Sequence, residues 1–304
     1  MKKNNGQPSQ AEQLYSVGVD IGGTKIMILI ADPSGEIVYR KKVNTSGEFD
    51  VISGHIAECL RIADIPLEQV AAIGFGVPGI ANSEEGTVIE APALKWNHVP
   101  FRERMQRYFD KPIFVDNDVN CAALGEKWLG SARNTNDFVV VAIGTGVGSA
   151  IMANGSLVKG NDYMAGEVAY MVVEQDVLSN RSNSFGDFGL FEKKISGLAL
   201  SQHGTMPNEL FERFVRGDEK SISIIHQFVT DLSIGIANMV SMLNPQKVIL
   251  CGGVAQSLPA VLERIRSTVA SLTPVPTTIE LTTIGEEAGA IGAAALAFEK
   301  VGVI

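Results

Sequence analysis

Short apolar runs broken by glycine turns recur along the chain, separated by stretches whose apolar residues return every third or fourth position. From Tyr15 to Val38, an apolar run ends in Asp20-Ile21-Gly22-Gly23-Thr24-Lys25, a second run follows, and Asp-Pro-Ser-Gly-Glu closes it. That order predicts strand, glycine turn, strand, turn, strand. Phe138 to Val158 repeats it, with Gly144-Thr145-Gly146 at the first turn and Ala-Asn-Gly-Ser at the second. Gly22 and Gly144 lie 122 positions apart, and Gly35 and Gly155 lie 120 apart. Two like units half a chain apart predict a duplicated architecture.

Other elements fill the intervals. Gln69–Val77 predicts a buried strand stopping at Pro78-Gly79. Lys111–Val115 predicts a short strand, followed by Asp116-Asn117-Asp118 and an Ala-rich helix over Val119–Leu129. Apolar residues at Ile225, Phe228, Val229, Leu232, Ile236 and Val240 predict a long half-buried helix within Ser221–Leu243. Lys247–Cys251 predicts a strand ending at Gly252-Gly253, with a helix from about Leu258 to Ser271. A small-residue helix from Ala288 closes the chain. Strands alternating with helices define an α/β fold.

The chain's 304 residues, 45% of them apolar and 19% charged, suffice for two domains with sizeable cores. Lys plus Arg number 25 against 34 Asp plus Glu, a net charge of -9. That balance disfavours nucleic acid and anionic membranes as partners. Cys59, Cys121 and Cys251 stand far apart, which supports neither a disulfide framework nor a cysteine zinc site and fits a cytoplasmic location. The uncharged stretch Phe138–Val158 is long enough to span a bilayer, but its glycines favour two buried strands around a turn. Met1–Gln13 is polar, without the apolar segment of a signal peptide, and reads as a loose tail.

Four patterns carry chemistry. In Asp20-Ile21-Gly22-Gly23-Thr24-Lys25, two glycines let the backbone approach an anion and aim N–H groups at it, Thr24 adds a hydroxyl, and Asp20 at a strand end suits a hydrated Mg²⁺. Gly144-Thr145-Gly146 offers the same cradle in the second unit, and two cradles facing each other would grip both ends of a polyphosphate. Gly252-Gly253 after a strand suits a flat ring such as adenine, or serves only as a strand-to-helix turn. Asp118, between strand and helix, is either the helix N-cap or a general base for phosphoryl transfer. Asn117 beside it has an amide able to bond a polyol from both ends.

Together these segments resemble the phosphate and adenosine motifs of the actin-like ATPase superfamily, a duplicated two-lobe α/β fold related to ribonuclease H. More specifically, the chain resembles the ROK family of repressors, open reading frames and sugar kinases. GFGVPGIAN at Gly74–Asn82, EAPALKW at Glu90–Trp96, VDNDVNCAALGE at Val115–Glu126, IGTGVGSAIMANGSLVKG at Ile143–Gly160, AGEVAY at Ala165–Tyr170 and AGAIGAAALA from Ala288 carry the likeness. It implies a cytoplasmic ATP-dependent kinase acting on a sugar hydroxyl, usually the 6-hydroxyl of a hexose. Asp118 would be the base. Gly79, Asn117, Glu167, Tyr170 and Glu192 would line the sugar. Asp20 would serve Mg²⁺ through water, while Gly22, Gly23, Thr24, Lys25, Gly144, Thr145, Gly146, Gly252 and Gly253 would hold ATP. A homodimer or homotetramer is expected by association. The lobes are expected over 15–124 and 125–287, after a tail over 1–14, with 288–304 packing back on the first.

The departures from the family pattern lie around the sugar. Many members follow Gly-Glu with a zinc-binding His, here Tyr170, and supply three Cys where this chain has Asn183, Phe185 and Leu190. Zinc needs about four N or S ligands in a structural site, so no structural zinc is expected; packing by Phe185, Phe188, Leu190 and Phe191 is expected instead. The family's Asn in Ala-Pro-Asn-Leu is Ala93. Tyr170 resembles the β-glucoside kinase branch more than the zinc glucokinases. A non-catalytic sugar sensor of the same family is the alternative. A DNA-binding regulator is disfavoured by the short segment before the first motif.

Overall fold

The computed structural model describes residues 14–304, and the expected tail over 1–13 lies outside them. The first half begins with β1 (Tyr15–Ile21), β2 (Lys25–Ala31), β3 (Ile37–Asn44) and α1 (Phe49–Ile62). Then come β4 (Val70–Val77), the short strands β5 (Ile80–Asn82), β6 (Thr87–Ala91) and β7 (Trp96–Val99), α2 (Phe101–Gln106), β8 (Ile113–Asn117) and α3 (Asp118–Trp128). The second half has β9 (Phe138–Ile143), β10 (Val147–Ala153) and β11 (Ser156–Leu157), followed by α4 (Glu174–Leu178), α5 (Glu192–Ile195), α6 (Gly197–Ser201), α7 (Pro207–Val215) and α8 (Glu219–Leu243). It ends in β12 (Lys247–Cys251), α9 (Leu262–Leu272), β13 (Thr278–Leu281) and α10 (Ala288–Lys300).

The duplication inferred from the glycine turns is realised in the sheets. One sheet has the order β3-β2-β1-β4-β8 and the other β11-β10-β9-β12-β13. In each, the opening three strands form an antiparallel meander and two further strands join in parallel. The first glycine turn lies at the carboxyl end of β1 and the second at that of β9, the edge where open α/β sheets bind ligands. Strands β5, β6 and β7 form a third, antiparallel sheet. Under β1 and β4 a core of Ile, Val and Phe packs with Phe75, Phe101 and Trp96, all at most 7% exposed.

The small-residue sequence of α10 serves close approach. A Cβ added at Gly74 would lie 1.8 Å from the Ala293 carbonyl oxygen, and one at Gly292 would lie 1.5 Å from that of Cys121. The helix thus lies directly on β4 and on α3 at a spacing only glycine permits.

Three boundaries differ from the sequence reading. The strand expected over Lys111–Val115 runs Ile113–Asn117 because its register with β4 continues through Val77–Asn117. Asp118 is therefore the first residue of α3, and Asn117 is the N-cap, accepting from the Val119 and Asn120 N–H groups. The expected helix start near Leu258 is instead a 3₁₀ stretch over Val254–Ala260, since Pro259 has no N–H to give an α-helix, and α9 begins at Leu262. The lobe boundary expected after Leu124 falls inside α3.

Candidate active site

Strand β1 delivers Asp20 and strand β8 with α3 delivers Asp118, so the two carboxylates meet beneath the first glycine turn. Burial pushes Asp20 up to about 8, and the charge of Asp118 adds to it. Its Oδ1 is buried without a hydrogen-bond partner, and the carboxylate lies where a Cβ on Gly289, in the first turn of α10, would be 2.5 Å away. An uncompensated buried carboxylate oxygen calls for a cation, and an all-oxygen, partly hydrated environment suits Mg²⁺. Asp20 therefore fits that ion.

Asp118 is half-buried and pushed up to about 6, first by desolvation and then by the charge of Glu167, against the lowering bond from the Val119 N–H at 2.9 Å. A carboxylate near 6 is a better proton acceptor than an ordinary aspartate and remains mostly ionised at neutral pH. Asp116, to which the sequence reading gave no role, is buried and accepts from the Asn117 N–H and the Asn120 side chain, both at 2.8 Å. It fixes the strand-to-helix junction that aims Asp118. The acidic triplet was the available signal, but nothing in it told the structural carboxylate from the reactive one.

Asn117 is less free than its sequence context implies. Its Oδ1 accepts from Val119 and Asn120 at 2.8 and 3.1 Å, and its Nδ2 donates to the Gly79 carbonyl at 2.8 Å. One amide hydrogen is left for a ligand. Gly79 itself has φ +85, and a Cβ there would lie 2.1 Å from the Glu90 carbonyl oxygen, so it makes the turn that carries β5 away from the site.

The glycine turns are built differently. In the first, the Gly22 N–H closes on Lys25 O at 2.9 Å, Thr45 braces Gly22 O and Thr24 O, and Lys25 Nζ bonds Asn44. In the second, the Gly144 N–H closes on Gly146 O at 2.9 Å, while the N–H groups of Gly197 and Leu198, opening α6, bond Gly144 O and Thr145 O. Among the described residues, the N–H groups of Gly23, Thr24, Thr145 and Gly146 donate to no protein acceptor, which leaves them available to an anion. Gly252 has φ +92 and abuts the Ile143 backbone at the base of the second turn; Gly253 beside it is open.

Glu167 sits on a tight segment held by the Ser149 hydroxyl, which donates to Gly166 O at 2.7 Å. Burial raises its pKa, and Glu192 adds to the shift. Glu192 is 9% exposed. Its Oε1 accepts from Val147 N–H at 2.8 Å and its Oε2 from Gly189 N–H at 3.1 Å. It is thus a strut between the loop before α5 and the start of β10, where the second glycine turn ends. Tyr170 is half-buried, and its phenol oxygen accepts from the Gly186 N–H at 3.3 Å.

The expected aromatic packing of the following loop is corrected. Leu190 and Phe191 are buried, but Phe185 is 63% and Phe188 44% exposed, because the loop is held through Asn183, which the sequence reading noted only as a missing cysteine. Glu90 was also missed: its Oε1 would lie 3.2 Å from a Cβ on Gly186, so the β5–β6–β7 sheet meets this loop. No group of three or more His, Cys, Asp or Glu among the described residues is placed to hold a metal ion, and no described helix is long and apolar enough to cross a membrane.

Two sheets of like topology, each with a glycine turn at the carboxyl end of its first strand, define an actin-like ATPase fold. The ROK family model matches residues 16–300, and the chain belongs to that family. It is 30% identical to a glucokinase of Halalkalibacterium halodurans, over 91% of this chain and 93% of the relative. It is 29% identical to a β-glucoside kinase of Listeria monocytogenes, over 90% and 94%. A ROK family glucokinase from Streptomyces griseus, solved in complex with glucose and AMPPNP, superposes with a TM-score of 0.77 at 26% identity, covering 94% of this chain and 99% of that one.

Proposed function

We propose that this protein is an ATP-dependent sugar kinase, transferring the γ-phosphoryl group to a hydroxyl of a hexose, N-acetylhexosamine or β-glucoside, most simply the 6-hydroxyl. The observation that carries this reading is the interacting Asp20–Asp118 pair in a chain with two glycine turns whose N–H groups are unengaged. Sugar kinases among the relatives, and a neighbour bound to glucose and an ATP analogue, support it.

In this reading Asp118 accepts the proton of the sugar hydroxyl as its oxygen attacks the γ-phosphorus. The bond from that phosphorus to the bridging oxygen breaks, and ADP leaves with the electron pair. The N–H groups of Gly23, Thr24, Thr145 and Gly146 orient the phosphates, and Gly252 and Gly253 leave room for the adenine. Asp20 would hold Mg²⁺, which when bound would supply neutralisation of the phosphate charge. Glu167, Tyr170 and the remaining Asn117 hydrogen face the sugar. Closure of the halves over the cleft would exclude water, so that the sugar is phosphorylated in its place.

The test is ADP release with Mg-ATP across glucose, N-acetylmannosamine, N-acetylglucosamine, mannose, fructose, cellobiose and gentiobiose. Turnover on one class is the expected result. Silence on all, with ATP still bound, would favour a sugar sensor.

A further inference from the structure

Between Tyr170 and Leu190 the chain leaves the core, passes through α4 and returns to the site at Glu192. Family members that hold this excursion with zinc place ligands where this chain has a phenol, a carboxamide and two hydrocarbon side chains. Zinc structural sites are built from thiolate and imidazole donors, so these residues do not fit the ion. Something else must fix the excursion, since a long unbraced loop would not hold Tyr170 and Glu192 in one geometry.

Two side chains brace it: Asp176 of α4, fully buried and 3.4 Å from Lys194 Nζ of α5, and Asn183, which joins the excursion's two ends. Its Nδ2 donates to the Tyr170 carbonyl at 2.8 Å, and its Oδ1 accepts from the Leu190 N–H at 2.8 Å. One amide thus joins the start of the excursion to its end. Neighbouring bonds extend the weld: Phe191 N–H donates to Ala169 O at 3.1 Å, and Gly189 N–H to Glu192 Oε2 at 3.1 Å. From Glu192 the connection continues to Val147, the first residue of β10 just after the second glycine turn. We propose that Asn183 is a positioning residue that takes over the structural part zinc plays in other members, holding Tyr170 and Glu192 against the sugar pocket without a metal. The kinetic half of this inference rests on the sugar-kinase reading; the structural half does not.

The test compares wild type, Asn183→Ala and Asn183→Asp by amide hydrogen exchange over 183–192 and by separate KM values for sugar and ATP, with and without a zinc chelator. An aspartate keeps the acceptor for Leu190 N–H but loses the donor to Tyr170 O. Wild type should be indifferent to chelator in both readouts. Asn183→Ala should exchange about tenfold faster at Leu190 and raise the sugar KM about tenfold, the effect of stranding a bonded group, with ATP KM within about twofold. Asn183→Asp should keep Leu190 protected yet still raise the sugar KM, and it decides the matter if the alanine variant does not fold. Chelator-sensitive exchange in wild type, or a sugar KM unchanged in Asn183→Asp, would overturn the proposal. If no sugar is turned over, the kinase reading fails, while exchange at Leu190 in the aspartate variant and chelator response in wild type still decide the clamp.

Discussion

Glu192 Oε1 accepts the Val147 N–H at 2.8 Å, so a residue assigned to the sugar by family likeness is also bonded to the first residue after the turn assigned to ATP. Removing its carboxylate strands two backbone donors, Val147 and Gly189, at about 1–3 kcal/mol each. Glu192→Ala is therefore expected to raise the KM for ATP as well as for sugar, each by roughly tenfold. Steady-state kinetics with each substrate varied would check this; an effect confined to sugar would mean the strut is incidental.

Asp118 is expected to set the acid limb of the pH profile. Its folded pKa is pushed up to about 6. A general base works only when ionised, so kcat/KM should fall about tenfold per pH unit below that value and level off above it. Asp118→Asn should lose about 10² to 10⁴ in kcat while nucleotide binding persists. A profile flat from pH 5 to pH 8 would remove Asp118 from that role.

Asp20 trades stability for chemistry. Burial raises its pKa from 3.8 to about 8, so the folded state binds a proton that the unfolded state has released. The stability it contributes is fully present at low pH and is lost as pH rises from about 4 towards 8. Without Mg²⁺, Asp20→Asn should melt a few degrees above wild type at pH 8, with the difference shrinking at pH 5. The same variant should be catalytically inert. Equal melting temperatures at both pH values would contradict the burial argument.

The two helical glycines Gly292 and Gly54 should respond oppositely to alanine. At Gly292 the new Cβ would meet the Cys121 carbonyl at 1.5 Å, forcing α10 off α3; at Gly54, on the exposed side of α1, nothing lies within 4 Å. Gly292→Ala should cost about 3 kcal/mol or more by overpacking. Gly54→Ala should gain about 0.5–1 kcal/mol from helix propensity. Denaturant titrations of both variants measure the contrast.

Much of this was legible in the sequence because glycine turns punctuate it. The two meanders, strands β4 and β12 and helices α8 and α10 all follow from apolar runs and their period. The sheet β5–β6–β7 was not seen, since Ile80–Asn82 and Trp96–Val99 are too short to show alternation. At the site, residue types were readable but partners were not. Asn117 looked free and is largely committed to capping α3 and bonding Gly79; Glu192 was expected only at the sugar and also holds the Val147 and Gly189 N–H groups. Asn183 looked like a missing cysteine, and only the fold brings Tyr170 O and Leu190 N to either end of its amide. The Glu192, Asn183 and Asn117–Gly79 bonds join segments that the chain's local pattern does not connect.

The central claim is phosphoryl transfer to sugar by Asp118, and its most direct measurement is phosphorus NMR of the products from Mg-ATP and an accepted sugar. The account predicts that ADP and sugar phosphate accumulate together with wild type, with little inorganic phosphate, and that sugar phosphate vanishes with Asp118→Asn. Inorganic phosphate as the main product, or turnover by Asp118→Asn within about threefold of wild type, far inside the range a lost base should cost, would contradict it.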